Sequence, residues 1–244
     1  MNTYVSVFFL ATIFLGSAAL LLWTYGTFPE LKQEEKVHIR IPRRIEDAKE
    51  LGRVLSRYKN RYYWNVLFGV AVTYVFLQSF AIPGSIFLSV LSGFLFTFPV
   101  ALVLVCGCSA VGASLCYLLS DLVCRPLLLS FWPDKVQTWA GQIAKHRANL
   151  FNYMLFLRMT PLLPNWFINL ASPVLDVPLS PFFWGTFFGV APPSILFIQA
   201  GRTLLSLTAA GVGFSWKSLL AVGVCALGSL IPVIFRQRFE SQLT

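Results

Sequence analysis

Charge is what this chain has least of. Only 12% of its 244 residues are Asp, Glu, Lys or Arg, and the acids number ten. Met1–Phe28, Thr203–Trp216 and Ser218–Phe235 carry none, and neither does the 59-residue stretch Tyr62–Ser120. Runs of that length are incompatible with a water-soluble domain. Histidine is nearly missing too. His38 and His146 sit in charged loops without ligand-like spacing, so no Ser-His-Asp or Cys-His set can be assembled. The five cysteines, Cys106, Cys108, Cys116, Cys124 and Cys225, lie in or beside apolar segments and form no Cys-x-x-Cys. They read as small packing residues rather than as a redox or metal site. No G-x-x-x-x-G-K-[ST] occurs, so there is no phosphate loop for ATP. These gaps argue against an enzyme, a metal centre and a bound cofactor.

Apolar residues fill the space, at 57% of the chain. The expected fold is an all-α polytopic membrane protein. Full spans are predicted at Thr3–Tyr25, Trp64–Ala81, Val100–Ser120, Phe182–Ala200 and Ser218–Phe235, five in all. The first is long and has no basic flank, so it reads as an uncleaved helix rather than a signal peptide. Three regions follow: a first transmembrane helix at 1–28, a basic amphipathic cytosolic segment at 29–63, and a membrane domain at 64–240. The middle region holds 16 of the 29 charges, ten basic and six acidic. That mixture suits an interfacial helix beneath lipid headgroups and lacks any nucleic-acid module, so no nucleic-acid partner is expected. Asp121–Asn149, with Val136, Trp139, Ile143 and Leu150 on one face and Pro133 at its start, reads as a second interfacial stretch. Asp121 is expected at a helix end.

Two apolar segments are broken by proline: Phe80–Phe98 and Leu150–Pro173. Proline removes a backbone donor, and the freed groups need partners inside a membrane. The spacing predicts two opposed re-entrant helical hairpins, near 82–98 and 150–173. In the first, two halves of roughly 12 Å each at 1.5 Å per residue would reach only the bilayer centre. The structural breaks are Pro83, Gly84, Gly93, Pro161 and Pro164. Charge supports this topology. With both segments re-entering, basic loops 30–61 and 121–149 and the basic residues Arg236 and Arg238 share one side, and only Arg202 and Lys217 face the other. The C-terminus is then cytosolic. Two discontinuous segments in corresponding halves are also the mark of an inverted-repeat transport fold.

One charge enters the second hairpin. Arg158 stands alone between Ala148 and Leu175. An arginine at membrane depth costs about 2.5–3.5 kcal/mol on insertion scales. Its fork matches phosphate oxygens. It either draws a phospholipid headgroup or caps carbonyls freed by the breaks. Asn165 and Asn169 stand four apart and share a helical face, where they bind a headgroup or tie the hairpin. Thr160, Ser85, Ser89, Gln78 and Gln199 are further candidates to line a pathway. The hairpins hold no Asp, Glu or His, so a proton relay lacks carriers.

The motifs FAIPGSIFLSVLSGF at 80–94, FLRMTPLLPNWFINLASP at 156–173 and GTFFGVAPPS at 185–194 closely resemble the VTT-domain (DedA-like) family, over about Ile45 to Phe239. The resemblance implies an endoplasmic-reticulum phospholipid scramblase, independent of ATP, that supports autophagosome formation and lipid homeostasis. It implies phospholipid as the ligand, with sterol as a second candidate, and other VTT-family or autophagy membrane proteins as partners. The family's hairpin arginine falls on Arg158 and its Pro-Gly break on Pro83-Gly84. Bacterial members carry acids near the first break, where this chain has Gly84-Ser85, so proton coupling is not expected to carry over. Two other readings compete with the scramblase: a gradient-driven secondary transporter and a non-catalytic membrane-shaping scaffold.

Overall fold

A computed structural model describes residues 3–29, 54–144, 147–160 and 163–210. The last predicted span at Ser218–Phe235, residues 30–53 of the basic segment and the break at Pro161 lie outside the described residues. Every element among the described residues is helical.

The chain opens with α1 (Thr3–Gly26), apolar on all sides and only lightly covered by the rest. Phe14 packs on Phe76 and Phe80, and the Tyr25 hydroxyl bonds Thr73 Oγ1 at 2.8 Å. The central pair is α2 (Tyr63–Ser79) with α4 (Phe98–Phe131). Small residues make that contact tight. Cys108, Ser109 and Gly112 are all buried, and a Cβ at Gly112 would stand 2.6 Å from Gln78 Cβ. Between them lies α3 (Ser85–Leu95). Then come α5 (Pro133–Ala144), a short 3-10 turn, α6 (Leu150–Met159), α7 (Asn165–Val174), α8 (Leu179–Gly189) and α9 (Ala191–Ala210).

Among the described residues, three stretches are long and apolar enough to cross a membrane: Phe8–Gly26, Phe98–Phe131 and Leu179–Ser206. They coincide with three of the expected spans. The 17 residues of α2 reach about 26 Å, a little less than a hydrocarbon core.

The structure departs from the sequence reading in two places. The first Pro-broken segment does not split into two halves. Its break falls at the very start, where Ala81 (φ 55°) and Gly84 (φ 143°) turn the chain straight from α2 into one 11-residue helix. Gly84 is the residue for that turn, since a Cβ is strained at its φ. The span predicted at Val100–Ser120 also runs on to Phe131, past Asp121 and through Pro126. Asp121 is therefore inside α4, paired with Arg125 one turn later at 3.1 Å. Arg125 reaches Asp176 as well, beside the α7–α8 connection.

Glycines set how the halves pack. On α9, a Cβ at Gly201 would meet Val90 O of α3, and a Cβ at Gly93 of α3 would meet Ile198 O of α9. On α8, Gly185 and Gly189 admit Met154 and Arg158 of α6. So α9 carries the first broken segment and α8 carries the second. Only Val190 separates α8 from α9, ahead of Pro192 and Pro193.

Candidate functional site

Arg158 sits in the last turn of α6, where the chain stops being helical at Thr160. It is 4% exposed. Burial of a guanidinium demands acceptors, because the charge cannot be discharged by proton loss. Among the described residues its acceptors are side-chain amide oxygens. Nη1 donates to Asn165 Oδ1 at 3.2 Å, and Nη2 donates to Asn169 Oδ1 at 2.6 Å. Both come from α7, whose helical repeat puts residues four apart on one side. The guanidinium carbon also lies 5.2 Å from the centre of the Phe182 ring, a cation–π contact from α8. Nε has no partner among the described residues. No carboxylate stands within ion-pair distance of Arg158 among the described residues, so its positive charge is caged but not neutralised.

Asn165 and Asn169 form part of the wall of a cavity of about 310 Å³. The opposite wall is the first break, with Gln78, Pro83, Gly84 and Ser85. The two broken segments thus meet around one space, backed on one side by the arginine. Asn165 is exposed and Asn169 is buried at 1%. Asn165 gives its oxygen to Arg158, which leaves its amide donors free for another partner.

The remaining sequence candidates divide. Gln78 and Ser85 line the cavity. Ser89 does not: it is buried, donates to Ser85 O at 3.0 Å and touches the Tyr74 hydroxyl at 3.3 Å. Thr160 donates back to Phe156 O at 2.7 Å and is absent from the wall. Gln199 lies exposed on α9, also away from it. Pro164 caps α7, and Gly93 gives the close approach expected of it, against Ile198.

Sequence reasoning missed three residues. Tyr74 is 4% exposed and joins α2, α3 and α4, accepting from Ser109 Oγ at 3.0 Å while it touches Ser89. A signal existed, since Tyr74 stands one turn before Gln78 inside an uncharged run. Phe182 and Cys116, which lies against the Asn169 amide, gave none; each is one apolar residue among many.

The VTT domain family model matches residues 82–203, which includes both broken segments. A transmembrane protein 41 homologue of Drosophila melanogaster is 56% identical over 235 residues, 96% of this chain and 73% of that protein. Transmembrane protein 41B of Danio rerio is 53% identical, covering 98% of this chain and 84% of its own length. The Homo sapiens protein of that name is 52% identical, covering 97% and 81%. No solved structure matches the chain significantly. With its apolar spans, its two proline breaks and this likeness over nearly its whole length, the chain is a membrane protein that belongs to the VTT-domain family, beside the transmembrane protein 41 homologues.

Proposed function

We propose that this protein is a passive phospholipid scramblase of the endoplasmic-reticulum membrane, serving autophagosome formation and lipid homeostasis. The observation that carries the reading is the cavity between the two breaks, with the buried Arg158, which has no carboxylate partner among the described residues, behind its wall. The cavity sets Gln78, Ser85, Asn165 and Asn169 into an otherwise apolar wall, and such polar partners at membrane depth lower the cost of moving a headgroup through hydrocarbon, where an unsatisfied polar group costs several kcal/mol. Acyl tails stay in lipid, and the headgroup passes between Gly84-Ser85 and Asn165. The lack of a phosphate loop and of acids in either broken segment favours a route that equilibrates lipid without ATP or an ion gradient. Phospholipid is the cargo, with sterol a secondary one, and membrane proteins of the same family or of autophagy are its proposed partners. The two broken segments enter as opposed re-entrant elbows, and the C-terminus faces the cytosol, in keeping with the basic loops.

The test is leaflet equilibration in vesicles holding fluorescent phospholipid and purified protein. A membrane-impermeant quencher should reach both leaflets without nucleotide or gradient. Arg158→Ala should slow this more than Arg158→Lys, which keeps the charge but loses the fork. A rate equal to that of protein-free vesicles rejects the reading. A rate changed by an ionophore points to a gradient-driven transporter. Arg158 variants that lower folded yield but leave the rate per folded molecule intact point to a scaffold.

A further inference from the structure

A second cavity shares no lining residue with the polar one. It measures about 580 Å³ and lies between α1, the later half of α2 and the middle of α4. Ser17 and Leu20 face it from α1, and Ala71 and Val75 face it from α2. Leu115, Leu118, Leu119 and Leu122 close it from α4, at the spacing that puts residues on one helical face. No charged residue lines it among the described residues. Its two serine hydroxyls are spent within their own helices. Ser17 Oγ donates to Ile13 O at 2.8 Å, and Ser79 Oγ donates to Val75 O at 2.7 Å.

The space follows from how α1 is fastened. At one level Phe14 packs on Phe76 and Phe80. At the other, Tyr25 bonds Thr73, and Phe28, just past α1, fills the notch left by Gly69. Ser17 and Leu20 fall between these fastenings and open on the cavity. Packed interiors leave few voids larger than a water, and an apolar cavity stays dry. Both α1 and α4 are long and apolar enough to span, so the cavity lies at membrane depth. The apolar material available there is lipid tail. The size agrees: a methylene takes up about as much room as a liquid water, about 30 Å³, so 580 Å³ holds about 19 of them, close to one tail. Another helix does not fit. One of about 18 residues is about 27 Å long and about 10 Å across, which is roughly 2,000 Å³.

We infer that this cavity is a binding site for one acyl chain of a membrane phospholipid, held between α1 and the leucine stripe of α4. The site takes the chain by shape and apolar contact alone. A headgroup would find no charge in it, and a sterol hydroxyl would meet only hydroxyls whose protons are already given to their own helices. Ser79 and Phe80 face the chain, while Gln78, one residue earlier, faces the polar cavity. The last turn of α2 thus divides a space for a tail from a space with polar groups. The inference needs only the membrane placement of α1 and α4, and it stands apart from the scramblase reading.

The experiment uses the purified full chain in phosphatidylcholine vesicles doped with a phosphatidylcholine that carries a photoactivatable diazirine midway along one tail. Mass spectrometry after irradiation locates the label. Ser79 is buried, so lipid around the protein cannot reach it and label there comes from inside the cavity. Trp184 and Phe188, exposed on α8, report the surrounding lipid. The tail probe should label Ser79 in the wild type. Ala71→Phe and, independently, Ser17→Leu fill the space from two different helices. Each should cut the Ser79 label about tenfold or more, leave the α8 label unchanged, and leave Tm unchanged or raised, as filling a void does. A diazirine sterol in the same vesicles should label Ser79 far less than the tail probe. No label on Ser79 in the wild type overturns the site and leaves the space to a segment of this chain or a second copy. An undiminished Ser79 label in both filled variants also overturns it. A sterol label equal to that of the tail probe overturns the assignment to an acyl chain. The wild-type comparison of the two probes decides this even where a filled variant fails to fold.

Discussion

Gly189 of α8 lies directly against Arg158 of α6: a Cβ built on the glycine would stand 2.6 Å from Arg158 Cβ. The arginine's depth is thus set by a missing side chain on a neighbouring helix. Gly185, one turn earlier, admits Met154 in the same way. The guanidinium can reach Asn165 and Asn169 only because α8 lets α6 come this close. Gly189→Ala should therefore displace α6 and weaken the Arg158 cage. Overpacking of this kind costs about 1–3 kcal/mol. Thermal unfolding in detergent should show the loss, and scrambling should fall with it. An unchanged Tm would mean that α6 and α8 can move apart freely.

The two asparagines should not be equivalent. Asn169 is buried and bonded at 2.6 Å, while Asn165 is exposed and bonded at 3.2 Å. A hydrogen bond to a charged group contributes about 1.5–3 kcal/mol. Asn169→Ala should lose stability at the upper end of that range, because Nη2 then has no acceptor and no access to water. Asn165→Ala should lose less, since its position can hydrate, yet it should slow lipid passage because it faces the opening. Unfolding and transport measured on the same preparations check the split: stability follows Asn169, and rate at equal folded protein follows Asn165.

Tyr74 offers a test of the first break. Ser89 keeps its bond to Ser85 O if the phenol is removed, but the Ser109 hydroxyl loses its acceptor. Tyr74→Phe and Ser109→Ala should each cost about 0.5–1.5 kcal/mol, and the double variant should cost little more than either. Additive losses in the double-mutant cycle would show that the two hydroxyls do not depend on each other.

Much of the fold was legible because few solutions satisfy a backbone in lipid. An uncharged run of 59 residues must be helical and must break where Pro83-Gly84 stands. Asn165 and Asn169 could be set on one helical face in advance, as headgroup ligands or a tie for the hairpin, but nothing in the local pattern named Arg158 as what they hold. The single-helix form of α3 was not legible. Whether a proline break lies in the middle or at the start of a short helix depends on how the flanking turn leaves α2, here through a left-handed Ala81. The extension of α4 to Phe131 was hidden as well. Asp121, Arg125 and Pro126 look like a boundary, but the acid and the base pair along the helix and Arg125 also holds Asp176. The cavity itself joins residues 78–87 to residues 165–169, and no local pattern reports a contact over that separation.

The contact between α3 and α9 is the tightest glycine contact among the described residues, and glycine substitutions should expose it. A Cβ at Gly93 would stand 2.1 Å from Ile198 O, and one at Gly201 would stand 1.9 Å from Val90 O. The obstructing atoms are backbone, which cannot rotate away as a side chain would. Either alanine must therefore push the helices apart, which releases the first break from α9 and alters the cavity wall that α3 supplies. Gly107 is the control. It lies within α4, and a Cβ there would meet nothing within 4 Å. Gly107→Ala should be neutral or stabilising by about 0.5–1 kcal/mol, from helix propensity alone. Gly93→Ala and Gly201→Ala should instead lower Tm and reduce scrambling at matched folded protein. If all three alanines behaved alike, backbone proximity would not be what fixes α3, and the position of the first elbow would need another cause.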